Sequence, residues 1–285
     1  MRVGYLAVSA ALFAVMALAS PSALGADCGA DADEVNAKCY PTLQAAVDAA
    51  LSTDRPLVLP RGTYQITAPL VIDYSRHADT GFELISRGAT IDGTAVRGPA
   101  LIVECTADCF YFHQEGTLFV NANMPGQPAV MIGKPDFSDP QNSIKIDHLI
   151  VNNGNPAGIG CQFNYVLNAD IFAVCDTAGV KGIAFEQTQF SNIRGSASAA
   201  NGAAMAIENG YSFANTLTSF DLEASPVCYL ITTTKATAWA DVAPYDNCPT
   251  AVATTHAAWN SWAAASQGVA GMLGGDVRAM INWLD

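Results

Sequence analysis

Four asparagines, Asn142, Asn168, Asn192 and Asn215, recur at intervals of 26, 24 and 23 residues. The last three stand in similar frames: Val166-Leu-Asn168, Phe190-Ser-Asn192 and Phe213-Ala-Asn215. A period in the twenties indicates one structural unit stacked on itself many times, which makes a rod with a long exposed side. From Gly88 to about residue 235 the chain supports this, with apolar runs of a few residues alternating with Gly, Asn, Asp and Pro. No long amphipathic pattern supplies the helices that a doubly wound α/β sheet needs between its strands. An antiparallel sandwich accommodates the short strands but does not predict a fixed recurrence. A parallel β-helix does, because each turn of the coil is one repeat and equivalent residues stack at about 4.8 Å. Asparagines stacked at a bend can then hydrogen-bond along the column, as in cross-β ladders, although Asn also favours turns on its own account.

The two ends differ from this body. Residues 1–25 read as a secretory signal peptide, with Arg2 at the start, an apolar run from Tyr5 to Ala19 and small residues at Ala23 and Gly25. That places the remainder in the periplasm or outside the cell, as a β-helix domain over 26–250 and a small C-terminal cap over 251–285. The cap carries Trp259, Trp262 and Trp283, with short helices expected at 255–265 and 276–284. Eight cysteines in an exported chain point to disulfides, not metal. Proximity pairs Cys28 with Cys39, Cys105 with Cys109, Cys161 with Cys175 and Cys228 with Cys248. The formal charge of −13, from 26 acids against 13 bases, disfavours nucleic acid and anionic membranes as partners.

The entry to the coil is the most specific segment. Thr42 precedes a helical pattern that places Leu43, Val47, Ala50 and Leu51 on one face. Two short strands follow around Pro60-Arg-Gly62-Thr-Tyr64, and a third at Pro69–Ile72. This stretch, LQAAVDAALSTDRPLVLPRGTYQITAPLVI, resembles the entry segment of the pectate-lyase-like superfamily, through Gln44, Ala45, Ala46, Pro60, Gly62, Thr63 and Tyr64. The resemblance implies an all-β, single-stranded right-handed parallel β-helix with an N-terminal capping helix. It also implies membership among polysaccharide lyases, glycoside hydrolases, epimerases, tailspikes and adhesins. Fold alone does not choose among them.

Aligning the coils on their asparagines directs Ile159, Cys161, Ile183, Phe185, Met205 and Ile207 inward by strand alternation. The outward columns are then Gly160/Ala184/Ala206 and Gln162/Glu186/Glu208, a floor of small side chains beside a column of acids. Glu186 and Glu208 fall on adjacent coils, at the spacing of the two carboxyls of a retaining glycosidase. Outward Glu and Gln are also what a solvated sheet face carries. A second acidic pair, Asp221 and Glu223, flanks the inward Leu222, with Asp170, Lys145 and Asp147 expected near the same face. Such carboxylates suit proton transfer or calcium, and no other cofactor is called for. Arg194 and Lys181 are the central bases available to a lyase. Tyr165 and Tyr211 follow the acid column and offer rings for sugar stacking. The Asn-Thr-Asp, Asp-Asp and Gly-His-Gly set of polygalacturonase-like hydrolases is absent. The sequence therefore predicts an exported protein that binds and cleaves a polysaccharide or oligosaccharide along its side. The alternative is a non-catalytic glycan-binding or adhesion protein on the same scaffold.

Overall fold

The computed structural model describes residues 28, 33–237, 248–265 and 281–285; the leader expected at 1–25 lies outside them. The described chain winds into a parallel β-solenoid of about nine turns. A long sheet stacks Val35–Asn36, Leu57–Leu59, Phe82–Gly93, Phe112–Ala122, Lys145–Asn153, Asp170–Thr177, Asn192–Ala199 and Thr216–Glu223. A facing sheet stacks Leu70–Asp73, Leu101–Glu104, Pro128–Ile132, Ile159–Asn164, Lys181–Glu186, Ala203–Glu208, Val227–Ile231, Thr250–Thr254 and Ile281–Trp283. A narrow corner sheet joins one to the other through Cys109–Phe110, Gln141–Asn142 and Val166–Leu167, continued by bridges through Gln189 to Phe213.

The core follows from the alternation of side chains along each strand. On the facing sheet, Val130, Cys161, Ile183, Met205 and Tyr229 form one inward column, and Ile132, Phe163, Phe185, Ile207 and Ile231 the next. All ten belong to one buried cluster shared with the long sheet. Ile159 departs from the expected pattern: it lies level with Lys181 on the outer side and is only half-buried. The four disulfides pair as proximity suggested. Cys161–Cys175 crosses the core from the facing sheet to the long sheet.

The asparagines do not form one column. Backbone pairing sets Asn142 level with Leu167, Gln189 and Phe213. Asn168 stands one residue past that level, Asn215 two and Asn192 three; Asn192 pairs instead with Asp170 and Thr216. What recurs is backbone shape. Ser143, Asn168, Phe190 and Ala214, each one residue past the corner level, all take left-handed φ between 51° and 56°. Asn is favoured at such a conformation but not required by it. The side chains consequently do different work. Asn168 Nδ2 donates to Asn142 Oδ1 (2.8 Å) at an exposed position. Asn215 is fully buried; its Nδ2 donates to Thr188 O (2.7 Å) and its Oδ1 accepts from Ser191 N (3.1 Å). Asn215→Ala, which orphans two buried backbone groups, is expected to cost about 2–3 kcal/mol, whereas Asn168→Ala should cost under about 1 kcal/mol. Equilibrium urea unfolding of the two variants tests this, and equal losses would contradict it.

The helix Leu43–Thr53 forms where expected, with Thr42 Oγ1 accepting from Ala45 N (3.1 Å). It buries Leu43, Ala46, Val47 and Ala50. Its Gln44 side chain both donates to Val71 O and accepts from Val71 N, each at 2.9 Å. Val71 lies on the edge strand of the facing sheet, so this amide pairs with both backbone groups of one edge residue. At the other end Thr250–Thr254 continues the facing sheet and His256–Ala265 is helical, close to the expected 255–265. Of the helix expected over 276–284, residues 276–280 lie outside the described residues, and the remainder is corrected: Ile281–Trp283 is a strand paired in parallel with Val252–Thr254. The edge of the facing sheet offers backbone hydrogen bonds to a further strand, and Ile-Asn-Trp, with a β-branched residue and an aromatic, suits one. Among the described residues no helix is long and apolar enough to cross a membrane.

Candidate functional site

The outer face of the facing sheet carries two runs of polar residues at its corner end, separated by the coil that places Gly133 at this level. Backbone register stacks Asp73 on Glu104, Asn164 on Glu186 and Glu186 on Glu208. Glu186 and Glu208 are thus adjacent, as the sequence predicts. The third expected member is corrected. Gln162 pairs with Ala184, which in turn pairs with Ala206, and Asn164 takes its place in the acid column. The slip arises because Asn168 and Asn192 stand at different levels. The third coil then inserts Asn209 and Gly210 before its corner strand, which nearly restores the apparent frame for Glu208. Aligning strand ends instead, Phe163-Asn164, Phe185-Glu186 and Ile207-Glu208, finds the true register.

The two carboxylates occupy different environments. Glu186 is 5 % exposed. Burial pushes its carboxyl up to about 7, with the neighbouring Glu208 charge acting in the same direction, against a hydrogen bond from Asn209 and the charge of Lys181. Its Oε2 has no hydrogen-bond partner, and neither has the buried Nδ2 of Asn164 one coil away. Glu208 is half-buried and held by an ion pair with Lys181 Nζ. Lys181 lies on the outer side at the start of its strand, level with Ile159 and Ala203. Beside the acids Ala184 and Ala206 form the small-residue floor, and Gln162 Nε2 donates to Asn164 Oδ1 (2.9 Å).

Both tyrosines lie in the turns that leave this column, but at different points. Tyr165 follows Asn164 directly, half-buried with φ 49°. Tyr211 stands two residues later in its longer turn and is 53 % exposed, with Lys235 Nζ 4.6 Å from its ring centroid. A third ring, Phe190, is equally exposed at a left-handed position and packs edge-on against Phe213 with centroids 5.0 Å apart.

The remaining expected residues belong to another face. Asp221 and Glu223 are exposed on the long sheet, level with Ser196 and Ser198. Arg194 lies on that sheet too, with a guanidinium nitrogen 3.2 Å from Asp170 Oδ1 and its carbon 5.9 Å from the Phe172 ring centroid. Both sheets send their inward residues into one core, so these three groups point away from Glu186 and Glu208 and do not join them in a single constellation. Nor do Asp221 and Glu223 converge on a third ligand. Among the described residues, the group whose ligand atoms do converge is Glu83, His113 and Glu115, which no sequence motif marks. Comparison of the chain with protein-family models, curated proteins and solved structures gives no match.

Proposed function

We propose that this protein binds an oligosaccharide or polysaccharide against the Glu186–Glu208 column and hydrolyses a glycosidic bond there with retention of configuration. The observation that carries the reading is a pair of in-register carboxylates in unlike surroundings, one buried and one ion-paired with a lysine. Burial pushes the Glu186 carboxyl up to about 7, in the range a general acid needs, and Lys181 Nζ is ion-paired with Glu208. Strands stacked at about 4.8 Å suit the roughly 5–5.5 Å carboxyl separation of a retaining mechanism.

In that mechanism Glu186 gives its proton to the glycosidic oxygen as the bond to the anomeric carbon breaks. Glu208 attacks that carbon and forms a glycosyl ester. Glu186, now the anion, takes a proton from water, and the hydroxide displaces Glu208 and restores both groups. In this reading Asn164, whose buried Nδ2 has no partner, would donate to a sugar hydroxyl admitted beside Glu186, and the ring of Tyr165 would stack on a sugar face. The pectate-lyase-like entry segment supports a carbohydrate ligand. Hydrolysis is preferred to elimination because Arg194, the lyase base considered first, is paired with Asp170 on the long sheet.

The test is release of reducing ends, with ultraviolet absorbance of unsaturated uronates recorded in parallel, across a panel of neutral and acidic glycans. Glu186→Gln and Glu208→Gln should each lower hydrolysis at least about 100-fold. Unsaturated product would replace hydrolysis by elimination, and unchanged turnover in both variants would remove the pair. The second reading, glycan binding without cleavage, is favoured by the exposed rings of Phe190 and Tyr211. Retention on immobilised glycan that is lost in Tyr211→Ala, with no turnover by the wild type, selects it.

A further inference from the structure

The outer face of the long sheet carries a grid of six side chains on three neighbouring strands. Backbone register aligns Glu83 with His113 and His113 with Lys145, and one step along, Ile85 with Glu115. Asp147 follows on the third strand, where its Oδ2 accepts from Gly116 N (3.4 Å). His113 is the centre of the grid. Its Nδ1 lies 3.3 Å from Glu83 Oε1, and its Nε2 lies 3.5 Å from Asp147 Oδ1 and 3.3 Å from Lys145 Nζ. Ligand atoms of Glu83, His113 and Glu115 all fall within 4.8 Å of one another.

We infer that Glu83, His113 and Glu115 form a binding site for a zinc-like divalent cation. The triad joins one imidazole to two carboxylates, a donor set that suits zinc, whereas calcium takes oxygen ligands and has little use for the imidazole. Three protein ligands leave a coordination position for solvent or a small molecule. A route to it exists, because Glu83 and His113 also line a cavity of about 240 Å³ with Asp54, Arg55, His77 and Tyr111. The ligands sit at in-register and alternate positions on paired strands, so the sheet sets their spacing. Lys145 closes the site on its other side. Its Nζ lies 3.2 Å from Asp147 Oδ1, so Asp147 is engaged by the ammonium and the triad keeps the net charge that attracts a cation. The cysteines offer no competing thiolate, since all eight are in disulfides.

Calorimetric titration of the metal-free protein with zinc chloride, and separately with calcium chloride, tests the site. One zinc per chain is expected, with calcium far weaker. His113→Ala should weaken zinc by more than about 100-fold, because losing a ligand exceeds the roughly 10–100-fold cost of losing a group behind one. Glu115→Gln, at an exposed position that tolerates substitution, should weaken it by a smaller factor in the same direction. Lys145→Ala should tighten zinc by about five- to tenfold by removing a cation from beside the site, a gain that structural damage does not produce. No zinc binding by the wild type, unchanged binding in His113→Ala, or weaker binding in Lys145→Ala would each overturn the inference.

Discussion

Phe185→Ala is expected to lower the unfolding free energy by about 3–5 kcal/mol, the range for emptying an aromatic site in a packed core. Phe185 is fully buried and stacks on Phe163, with ring centroids 5.5 Å apart and planes inclined at 21°. Below it in the same ladder lies Ile207, and above Phe163 lies Ile132. A solenoid holds each coil mainly through its two neighbours. Neither neighbouring coil can move in to fill the space without breaking hydrogen bonds to the coil beyond. The penalty should therefore sit at the upper end of the range, and Phe185→Leu, which leaves less empty volume, should cost about 1–2 kcal/mol. Equilibrium guanidinium unfolding measures both. A loss below about 1 kcal/mol for Phe185→Ala would mean that the coil relaxes around the gap and that the stacked ladder does not set the spacing of the strands. The consequence would reach the candidate site, because Phe185 immediately precedes Glu186 and fixes the level at which that side chain leaves the sheet.

The stacking of coils was legible because it repeats: short apolar runs, turn residues and no intervening helices leave few architectures. The inside and outside of each facing strand were legible for the same reason, as alternation needs only local sequence. Register was harder. The sequence marks corners by residue type, but a left-handed corner accepts Ser143, Asn168, Phe190 or Ala214 alike. An asparagine near a corner therefore locates the turn to within a residue or two, and an error of that size exchanges one outward column for another. Glu208 survived the error because the inserted Asn209-Gly210 nearly offset it, and Gln162 did not. Asp221 and Glu223 share a sheet with Asp170, Lys145 and Asp147, as local alternation indicates, but local sequence does not say which side of the rod that sheet occupies relative to Glu186 and Glu208. His113 was invisible for a third reason. Its partners are Glu83, 30 residues earlier, and Lys145, 32 residues later, intervals set by coils longer than the repeat that first drew notice.

Glu186→Gln is expected to stabilise the protein at alkaline pH and to leave it unchanged in acid. The carboxyl of Glu186 is pushed up to about 7 from an ordinary 4.5, mainly by burial. Below pH 4.5 the group is protonated in both folded and unfolded chains and costs nothing. Between 4.5 and 7 the unfolded chain loses the proton while the folded one keeps it, so stability falls. Above 7 both are ionised and the full penalty remains, about 3 kcal/mol for a difference of roughly 2.5 units. Gln carries no proton to lose, so the variant should match the wild type at pH 4 and exceed it by about 3 kcal/mol at pH 8. Guanidinium unfolding of both proteins at pH 4, 6 and 8 measures the difference, and an effect independent of pH would refute the assignment. A solvated surface glutamate, by contrast, should show no such dependence. A residue whose replacement stabilises the fold is one the fold does not need, and if the same variant also loses hydrolysis, its destabilising burial belongs to the chemistry of the site.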